Sequence, residues 1–215
     1  MRSAPLETQT LFAALIGERR FIYHIMTQEK FAAAVAEGEL VARSRLNRLR
    51  NDYAMGDLIQ LRARIWLDAA TMVPDTVPFY LTPRQPMFCR LVREGRVRAD
   101  ELVALGFDFD ELHPRYDHWL FTSNPAYDGA TKLGTWEAKG WLPWDVLMRW
   151  WWNSDDEPKE DKLRQSFLRQ AELLVRGPVS LADLDHVVVH SSAAARSISA
   201  LDQKRVVQIA GVFDW

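Results

Sequence analysis

The sequence predicts an α+β fold. Stretches with the composition of strands and stretches with the composition of helices follow one another without the regular strand–helix–strand alternation of a doubly wound parallel sheet. With 215 residues, of which 48% are hydrophobic and 26% charged, the chain is long enough to bury a substantial core. It contains neither a P-loop nor a GxGxxG motif, so neither of these glycine-rich phosphate-binding loops is predicted.

The chain is predicted to consist of an arm, residues 1–20, and one domain over residues 21–215. No repeat or low-complexity segment divides the second range. The apolar stretch Leu11–Gly17 in the arm is too short to cross a bilayer, so we expect no membrane partner and, by default, a cytoplasmic protein. The single cysteine, Cys89, excludes an internal disulfide and a cysteine-rich zinc site, and no histidine spacing predicts another metal site.

The domain is predicted to begin with a strand and a helix. Phe21–Met26 reads as a buried strand, in which His24 has the position of a core histidine. Thr27 is predicted to cap the N-terminus of the following helix and Gly38 to end it, because glycine readily adopts the left-handed conformation found at helix ends. A second short strand is predicted over Glu39–Ala42.

An arginine-rich segment comes next. Residues 43–64 contain six arginines and two aspartates, a local charge of about +4 in a chain whose net charge is −2. We predict a loop over Arg43–Tyr53 and a helix over Asp57–Asp68. A basic segment suits nucleic acid or a phosphate-bearing cofactor, although a solvated helix surface has the same composition. Arg62 and Arg64 lie about 200° apart around a regular helix, which therefore does not turn both toward one site.

The middle of the chain is predicted to contain a strand, a helix and a charged peripheral region. Val77–Leu81 is rich in β-branched and aromatic residues, and Pro78 within it indicates an edge strand or the start of a strand. A proline-containing turn then opens a helix over Met87–Arg93. The charged region Glu94–Arg115 is predicted to be peripheral, with a helical piece at Asp100–Leu105.

The C-terminal half combines strands with a tryptophan-rich segment. Trp119–Thr122 is predicted to be a strand. The tryptophans of Trp136–Trp152 suit core packing, and they also suit the stacking of nucleic-acid bases. The last elements are predicted to be a strand at His186–His190, a helix at Ala193–Asp202 and a strand at Val206–Ile209.

The stretch Arg169–Val175 offers the best candidate for a catalytic side chain. Read as a strand, it turns Leu173 and Val175 to one face and Glu172 and Leu174 to the other. The carboxylate of Glu172 is then held at the edge of an apolar sheet, where a fixed negative charge stabilises a cation that forms beside it. The alternative is that Glu172 is a solvated residue at the end of a helix that begins near residue 161.

Four stretches of the chain, in the same order, resemble one family: Tyr23-His24-Ile25, Glu37–Leu40, Val77–Tyr80 together with Pro83–Met87, and Arg169–Val175. This family is the DarT-type ADP-ribosyltransferases, bacterial toxins that attach ADP-ribose to a base in single-stranded DNA. Ile59–Arg62 is similar to the arginine-bearing helix of the family, and Trp151–Asp155 to a small aromatic–aspartate landmark. The resemblance extends over about residues 21–215.

The resemblance implies an ADP-ribosyltransferase-like fold, a split antiparallel β core around an NAD cleft with surrounding helices. It implies that His24 hydrogen-bonds a ribose of NAD and that Tyr80 stacks on the nicotinamide. Glu172 is implied to hold a ribose hydroxyl and to stabilise the oxocarbenium-like state as nicotinamide leaves. Thr27 and Gly38 are implied to belong to the cofactor-binding region.

The resemblance also implies a catalytic arginine that assists proton removal from the target base. The family has paired arginines, whereas this chain reads Arg62-Ala63-Arg64, so either arginine fits. Arg62 is favoured because Ile59 and Gln60 fix the register. The other arginines of the basic segment are implied to guide the phosphates of single-stranded DNA: Arg43, Arg45, Arg48 and Arg50.

The implied function is that of an NAD-dependent toxin, with NAD as co-substrate, single-stranded DNA as acceptor and a macrodomain-type antitoxin as partner. Three alternatives remain open from the residues. In the first, the acceptor is RNA, because the sequence shows no feature that reads a 2′-hydroxyl. The chain is a catalytically silent nucleic-acid-binding module of the same fold. The enzyme is an NAD glycohydrolase, with water as the acceptor.

Overall fold

The computed structural model describes residues 21–46, 56–147, 157–198 and 205–214. The predicted arm, Arg48, Arg50 and the Trp151–Asp155 stretch lie outside these ranges. The strands are β1 (Phe21–Thr27), β2 (Glu39–Leu40), β3 (Thr76–Tyr80), β4 (Leu102–Asp108), β5 (His118–Phe121), β6 (Lys132–Gly134), β7 (Glu172–Arg176), β8 (Val179–Ser180), β9 (Leu184–Val189) and β10 (Val206–Gln208). The helices are α1 (Gln28–Glu37), α2 (Gly56–Arg62), α3 (Pro86–Arg93), α4 (Phe109–Leu112), α5 (Trp144–Leu147), α6 (Lys159–Leu168) and α7 (Ser192–Ser197).

Eight of these strands form one mixed sheet in the order β10-β9-β4-β1-β3-β7-β5-β6, and β2 pairs with β8 in a small second sheet. All the pairings are antiparallel except that of β9 with β10. The α+β prediction is therefore confirmed. Within the described ranges, every helix is too short or too polar to cross a bilayer.

Apolar side chains cover both faces of the sheet. Phe79 and Leu173 lie opposite each other on β3 and β7 and belong to the larger cluster, on one face. Leu174, one residue further along β7, packs on the other face with Leu67 and Phe121. Each such buried side chain contributes roughly 1.5–3 kcal/mol to stability, so the strands around the candidate carboxylate are held firmly.

The sheet is split between its two central strands. β1 pairs with β4 along its whole length, but its backbone pairing with β3 is limited to Tyr23 opposite Tyr80. Beyond that pair the imidazole of His24 bridges the two strands, with its Nδ1 2.7 Å from the carbonyl oxygen of Pro78. In an extended strand the N–H and C=O of one residue point the same way, so the N–H that Pro78 lacks would face this gap.

This geometry corrects the prediction that Pro78 marks an edge strand. β3 lies inside the sheet, between β1 and β7. A proline is tolerated there because no backbone acceptor of β1 is paired with its position.

The prediction of a charged, peripheral region at Glu94–Arg115 with a helix at Asp100–Leu105 is wrong. Residues 102–108 form β4, a strand next to the centre of the sheet, and Leu102–Phe107 is almost completely buried. A continuous apolar run is the pattern of a strand covered on both faces, and the charges that flank it obscured that pattern. Gly106 suits the position because a Cβ there would lie 2.3 Å from the ring of His186.

Two predicted helices are shorter in the structure. The helix predicted over Asp57–Asp68 ends at Arg62, after which the chain turns and Trp66 pairs with Met72. This turn lets Leu67 and Val73 pack on the same face of the sheet as Leu174. The helix predicted over residues 193–202 is observed as Ser192–Ser197, and residues 199–204 lie outside the described ranges.

Candidate active site

Glu172 is the first residue of β7, and it is fully buried. It lies opposite Tyr80 of β3 on one side and opposite Phe121 of β5 on the other. The helix that precedes it ends at Leu168, so the alternative of a solvated residue at a helix end is wrong. The turn between them is anchored by the buried Arg169, whose Nη1 donates to the carbonyl oxygen of Val146 at 2.6 Å.

Arg62 forms a bidentate ion pair with this carboxylate. Its Nη1 lies 2.7 Å from Oε2 of Glu172 and its Nη2 lies 2.9 Å from Oε1. The side chain of Arg62 is 19% exposed and that of Glu172 is 0% exposed. Arg64 is exposed and has no described contact with Glu172. The structure thus brings Arg62, and not Arg64, to the carboxylate.

The charge of Arg62 is secure at neutral pH. Burial disfavours the charged guanidinium, but the carboxylate of Glu172 more than offsets this, and the pKa of Arg62 is raised above its ordinary value. A guanidinium with a raised pKa cannot accept a proton at pH 7. Arg62 therefore acts as a fixed positive charge and hydrogen-bond donor. It can assist the removal of a proton from the base by stabilising the charge left behind, but it cannot take up that proton itself.

Tyr80 places a neutral phenol beside this ion pair. Its ring is buried and contacts Phe88 edge to face, with the centroids 6.0 Å apart. Burial, followed by the nearby charge of Glu172, raises the pKa of the phenol, so it stays protonated. The ring is thus a neutral aromatic surface next to the carboxylate, the kind of surface on which another aromatic ring stacks.

His24 lies at the split between β1 and β3, half-buried, with its ring 5.8 Å from that of Phe79. A carbonyl oxygen can only accept, so Nδ1 donates to Pro78 and Nε2 of the neutral ring is left as an acceptor. Burial lowers the pKa of His24 to about 4, and the charge of Lys30 acts in the same direction, while the hydrogen bond to Pro78 opposes them. The imidazole is therefore neutral at pH 7.

We expect the protein to lose stability in acid because of this histidine. Its folded-state pKa of about 4 lies below the unfolded value of 6.5, so the unfolded chain takes up the proton first. Stability is then fully present above pH 6.5 and falls by up to about 3 kcal/mol as the pH drops toward 4. Urea unfolding at several pH values measures this, and the fall should be shallower in His24→Gln. An identical fall in both proteins would contradict the prediction.

Thr27 and Gly38 stand at the two ends of α1. Thr27 caps the helix, with its Oγ1 accepting from the backbone N–H of Lys30 at 3.4 Å, and it lines an open cavity of about 500 Å³ together with Gln28 and Arg98. Gly38 ends the helix with φ +77°, and its carbonyl oxygen accepts from Leu181. Both helix caps are as predicted, whereas the binding of a cofactor by either residue stays a prediction.

The basic segment is described in part. Arg43 and Arg45 form an exposed 3₁₀ turn, Arg43–Arg45, which lies near the Val73–Asp75 segment that leads into β3. Arg48 and Arg50 lie outside the described ranges. Arg43 and Arg45 are thus exposed, and their contact with nucleic acid stays a prediction.

Sequence reasoning missed Asn124, which follows β5. Its Oδ1 accepts from Nη1 of Arg62 at 3.1 Å and from the backbone N–H of Ala126 at 3.0 Å. The signal available in the sequence was a polar residue three positions after a buried strand and directly before Pro125, which predicts a turn but no contact with an arginine 62 positions away.

The assembled site can stabilise a cation without a metal. A carboxylate has about four lone-pair positions, of which Arg62 uses two, so each oxygen of Glu172 can still accept one further hydrogen bond. Within the described ranges, no group of three or more histidine, cysteine, aspartate or glutamate side chains is arranged to hold a metal ion. A buried carboxylate of this kind stabilises the positive charge that develops on a sugar when a bond to it is cleaved. The guanidinium beside it is a fixed donor, and the phenol ring is a neutral surface for stacking.

Comparison with known proteins identifies the family. A family model described as "DarT: ssDNA thymidine ADP-ribosyltransferase, DarT" matches residues 23–212. A protein of Mycobacterium tuberculosis named "DNA ADP-ribosyl transferase" is 30% identical over an alignment of 143 residues that covers 61% of this chain and 58% of that protein. A protein of the same name from Mycobacterium bovis matches equally well. The matched region thus spans 58% of the length of these relatives.

Solved structures share the fold. The structure "Thermus sp. 2.9 DarT in complex with ADP-ribosylated ssDNA" has a TM-score of 0.77 at 20% identity, and the match covers 92% of this chain and 97% of that one. The structure of the same Thermus protein in complex with NAD+ has a TM-score of 0.73 at 19% identity, covering 92% of this chain and 98% of that one. At these identities the likeness shows a common fold.

Proposed function

The chain belongs to the DarT family of single-stranded DNA thymidine ADP-ribosyltransferases, and on that premise we propose that it transfers ADP-ribose from NAD to a thymidine base in single-stranded DNA and releases nicotinamide. The observation that carries the proposal is the buried ion pair of Glu172 and Arg62 beside Tyr80. The two structures of the Thermus protein contain ADP-ribosylated single-stranded DNA and NAD+, respectively.

Glu172 is proposed to act on the sugar. Breaking the bond between nicotinamide and ribose leaves positive charge on the sugar, and a rigid, poorly hydrated carboxylate stabilises that charge. The lone pair left on each oxygen allows Glu172 to accept a ribose hydroxyl while it remains paired with Arg62. The bond electrons leave with nicotinamide, which becomes a neutral molecule.

Arg62 is proposed to act on the base. N1 of thymine is bonded to the deoxyribose, so N3 is the ring nitrogen available as nucleophile, and it carries a proton that must leave. As that proton passes to water, negative charge spreads to the neighbouring carbonyl oxygens, and the guanidinium of Arg62 stabilises it. The new N3–ribose bond replaces the ribose–nicotinamide bond, so one proton is released in each transfer.

The remaining contacts with NAD are proposed for His24, Tyr80 and Thr27. Nε2 of the neutral His24 can accept a hydrogen bond that a ribose hydroxyl donates. The ring of Tyr80 can stack on the nicotinamide ring. Thr27 lines a cavity of about 500 Å³ that is large enough for part of a dinucleotide. Gly38 lies at the other end of α1, roughly 15 Å from Thr27, so of the predicted cofactor residues it has the least structural support for contact with NAD.

Single-stranded DNA is the proposed acceptor because a base must leave its stack to reach a buried carboxylate. The exposed arginines Arg43 and Arg45 are proposed to contact the phosphates, together with Arg48 and Arg50. By family resemblance, the proposed setting is the cytoplasm of a bacterium, where the protein acts as a toxin and a macrodomain-type antitoxin removes the modification.

The proposal is tested by incubating the protein with NAD and short oligonucleotides. We expect a mass increase of one ADP-ribose on single-stranded DNA that contains thymidine, and none on an oligonucleotide of the same length in which every thymidine is replaced by deoxycytidine. RNA with uridine in place of thymidine and a fully paired duplex are run in parallel. Modification of RNA alone, or nicotinamide release without modification of any oligonucleotide, would overturn the proposal in favour of one of the alternatives.

A further inference from the structure

We propose that Asn124 is a positioning residue that selects which edge of the Arg62 guanidinium faces the target base. The inference rests on the proposed transfer to a base and concerns the same site. The observation behind it is the convergence of two donors on one oxygen. Oδ1 of Asn124 accepts from Nη1 of Arg62 at 3.1 Å and from the backbone N–H of Ala126 at 3.0 Å.

The orientation of the Asn124 amide follows from chemistry. A guanidinium and a backbone N–H can only donate, so the atom between them must be the carbonyl oxygen of the amide. A flipped amide would turn an NH₂ group toward both donors. The side chain is thus held in one orientation, and it presents a single acceptor to Arg62.

The loop that carries Asn124 is tied to the body of the protein independently of α2. Ser123 donates its hydroxyl to the carbonyl oxygen of Phe167 at 2.6 Å, and the backbone N–H of Tyr127 donates to the carbonyl oxygen of Asn124 at 2.9 Å. The ring of Tyr127 stacks on that of Phe167 with centroids 6.1 Å apart. Asn124 itself is 6% exposed. The acceptor that Arg62 meets is therefore fixed in space.

The hydrogen bonds of Arg62 determine which of its donors remain. The end of the guanidinium donates to Glu172 through Nη1 and Nη2, and the second hydrogen of Nη1 donates to Asn124. Of the five N–H bonds, three are thus used, and the Nε–H and the second Nη2–H have no acceptor among the described residues. These two N–H bonds point the same way from one edge of the planar group.

Two parallel donors on one edge suit an oxygen that gains negative charge. In the proposed transfer this negative charge develops on a carbonyl oxygen of thymine beside N3. Without Asn124 the guanidinium keeps its bond to Glu172 but can pivot about it, so the free edge loses its direction. A misplacement of about 1 Å at a reacting centre costs on the order of 100-fold in rate.

The test compares Asn124→Leu, which has a similar size but no acceptor, with Asn124→Asp, which keeps an oxygen for both donors. In Asn124→Leu we expect kcat for transfer to DNA to fall about 100-fold while KM for NAD stays within about threefold. In Asn124→Asp we expect transfer within about tenfold of the original rate. Nicotinamide release from NAD without DNA is expected to change little in either, because it does not need the base to be aligned.

The matched control is Gln208→Leu, which likewise replaces an amide by leucine, at an exposed position on β10, five strands from β7 in the order of the sheet. It should leave transfer unchanged. Transfer by Asn124→Leu at the original rate would overturn the inference. So would an equal loss of DNA transfer and nicotinamide release together with a lowered Tm, since that indicates a structural role. If the unaltered protein modifies no oligonucleotide, it is the proposed function that fails.

Discussion

Replacing Glu172 by Gln is expected to reduce ADP-ribose transfer by at least about 1,000-fold. The substitution keeps the shape of the side chain and an oxygen that accepts from Arg62, but it removes the negative charge that we propose to stabilise the sugar. A fixed charge in a fully buried position is worth far more to a developing cation than one in water. We therefore expect kcat to fall with little change in the binding of NAD.

The measurement is the initial rate of oligonucleotide modification, with isothermal titration of NAD to follow binding. Glu160→Gln is the matched control, because Glu160 is exposed on the surface of α6 and the same substitution there should leave the rate unchanged. In cells, Glu172→Gln should also abolish the proposed toxicity and so increase the yield of protein. A rate within tenfold of the original would mean that this carboxylate is not the group that stabilises the sugar.

The position of Glu172 was predictable because local pattern and three-dimensional structure agree there. Alternation along residues 169–175 places Leu173 and Val175 on the face that carries the larger core cluster and leaves Glu172 on the other, as the structure has it. The burial of the two hydrophobic side chains fixes the register of the strand, and the register fixes the direction of the carboxylate. A sequence argument succeeds where one periodicity determines the answer.

The strand β4 could not be predicted from alternation, although it lies inside the sheet, between β9 and β1. Its residues Leu102–Phe107 are apolar without alternation because both of their faces are covered, and the charged residues around them suggested a surface region. Such a strand is recognised by its length and by what it pairs with, and the pairing of β4 with β1 and β9 joins distant parts of the chain.

The contact of Asn124 with Arg62 could not be predicted from the sequence either. The two residues are 62 positions apart, and neither lies on a periodic apolar face that would indicate its direction. Helix geometry predicted that a regular helix does not turn Arg62 and Arg64 toward one site, but α2 ends at Arg62, so Arg64 lies beyond the helix, where it is exposed. Which of the two meets Glu172 depends on where the helix ends, and helix ends are the least predictable part of a helix.

Replacing Arg62 by Ala is expected to abolish transfer to DNA, again by at least about 1,000-fold. The change removes the only described cation in contact with Glu172, so no donor remains to stabilise the charge that develops on the base. Arg62→Lys keeps the charge but cannot bond both oxygens of Glu172 and Asn124 at once, and we expect it to retain about 1% of the rate. Arg64→Ala is the control and should leave kcat unchanged.

The same substitution carries a cost in stability that identifies the ion pair as buried. Arg62→Ala leaves the fully buried carboxylate of Glu172 without its partner, which is expected to lower the free energy of unfolding by about 3 kcal/mol. Adding Glu172→Gln removes the unpaired charge, so the double variant should be more stable than Arg62→Ala alone. Urea unfolding of the four proteins of this cycle measures the coupling between the two residues. Strictly additive changes would show that the carboxylate and the guanidinium do not depend on each other, and a site in which each charge holds the other in place would then be the wrong description.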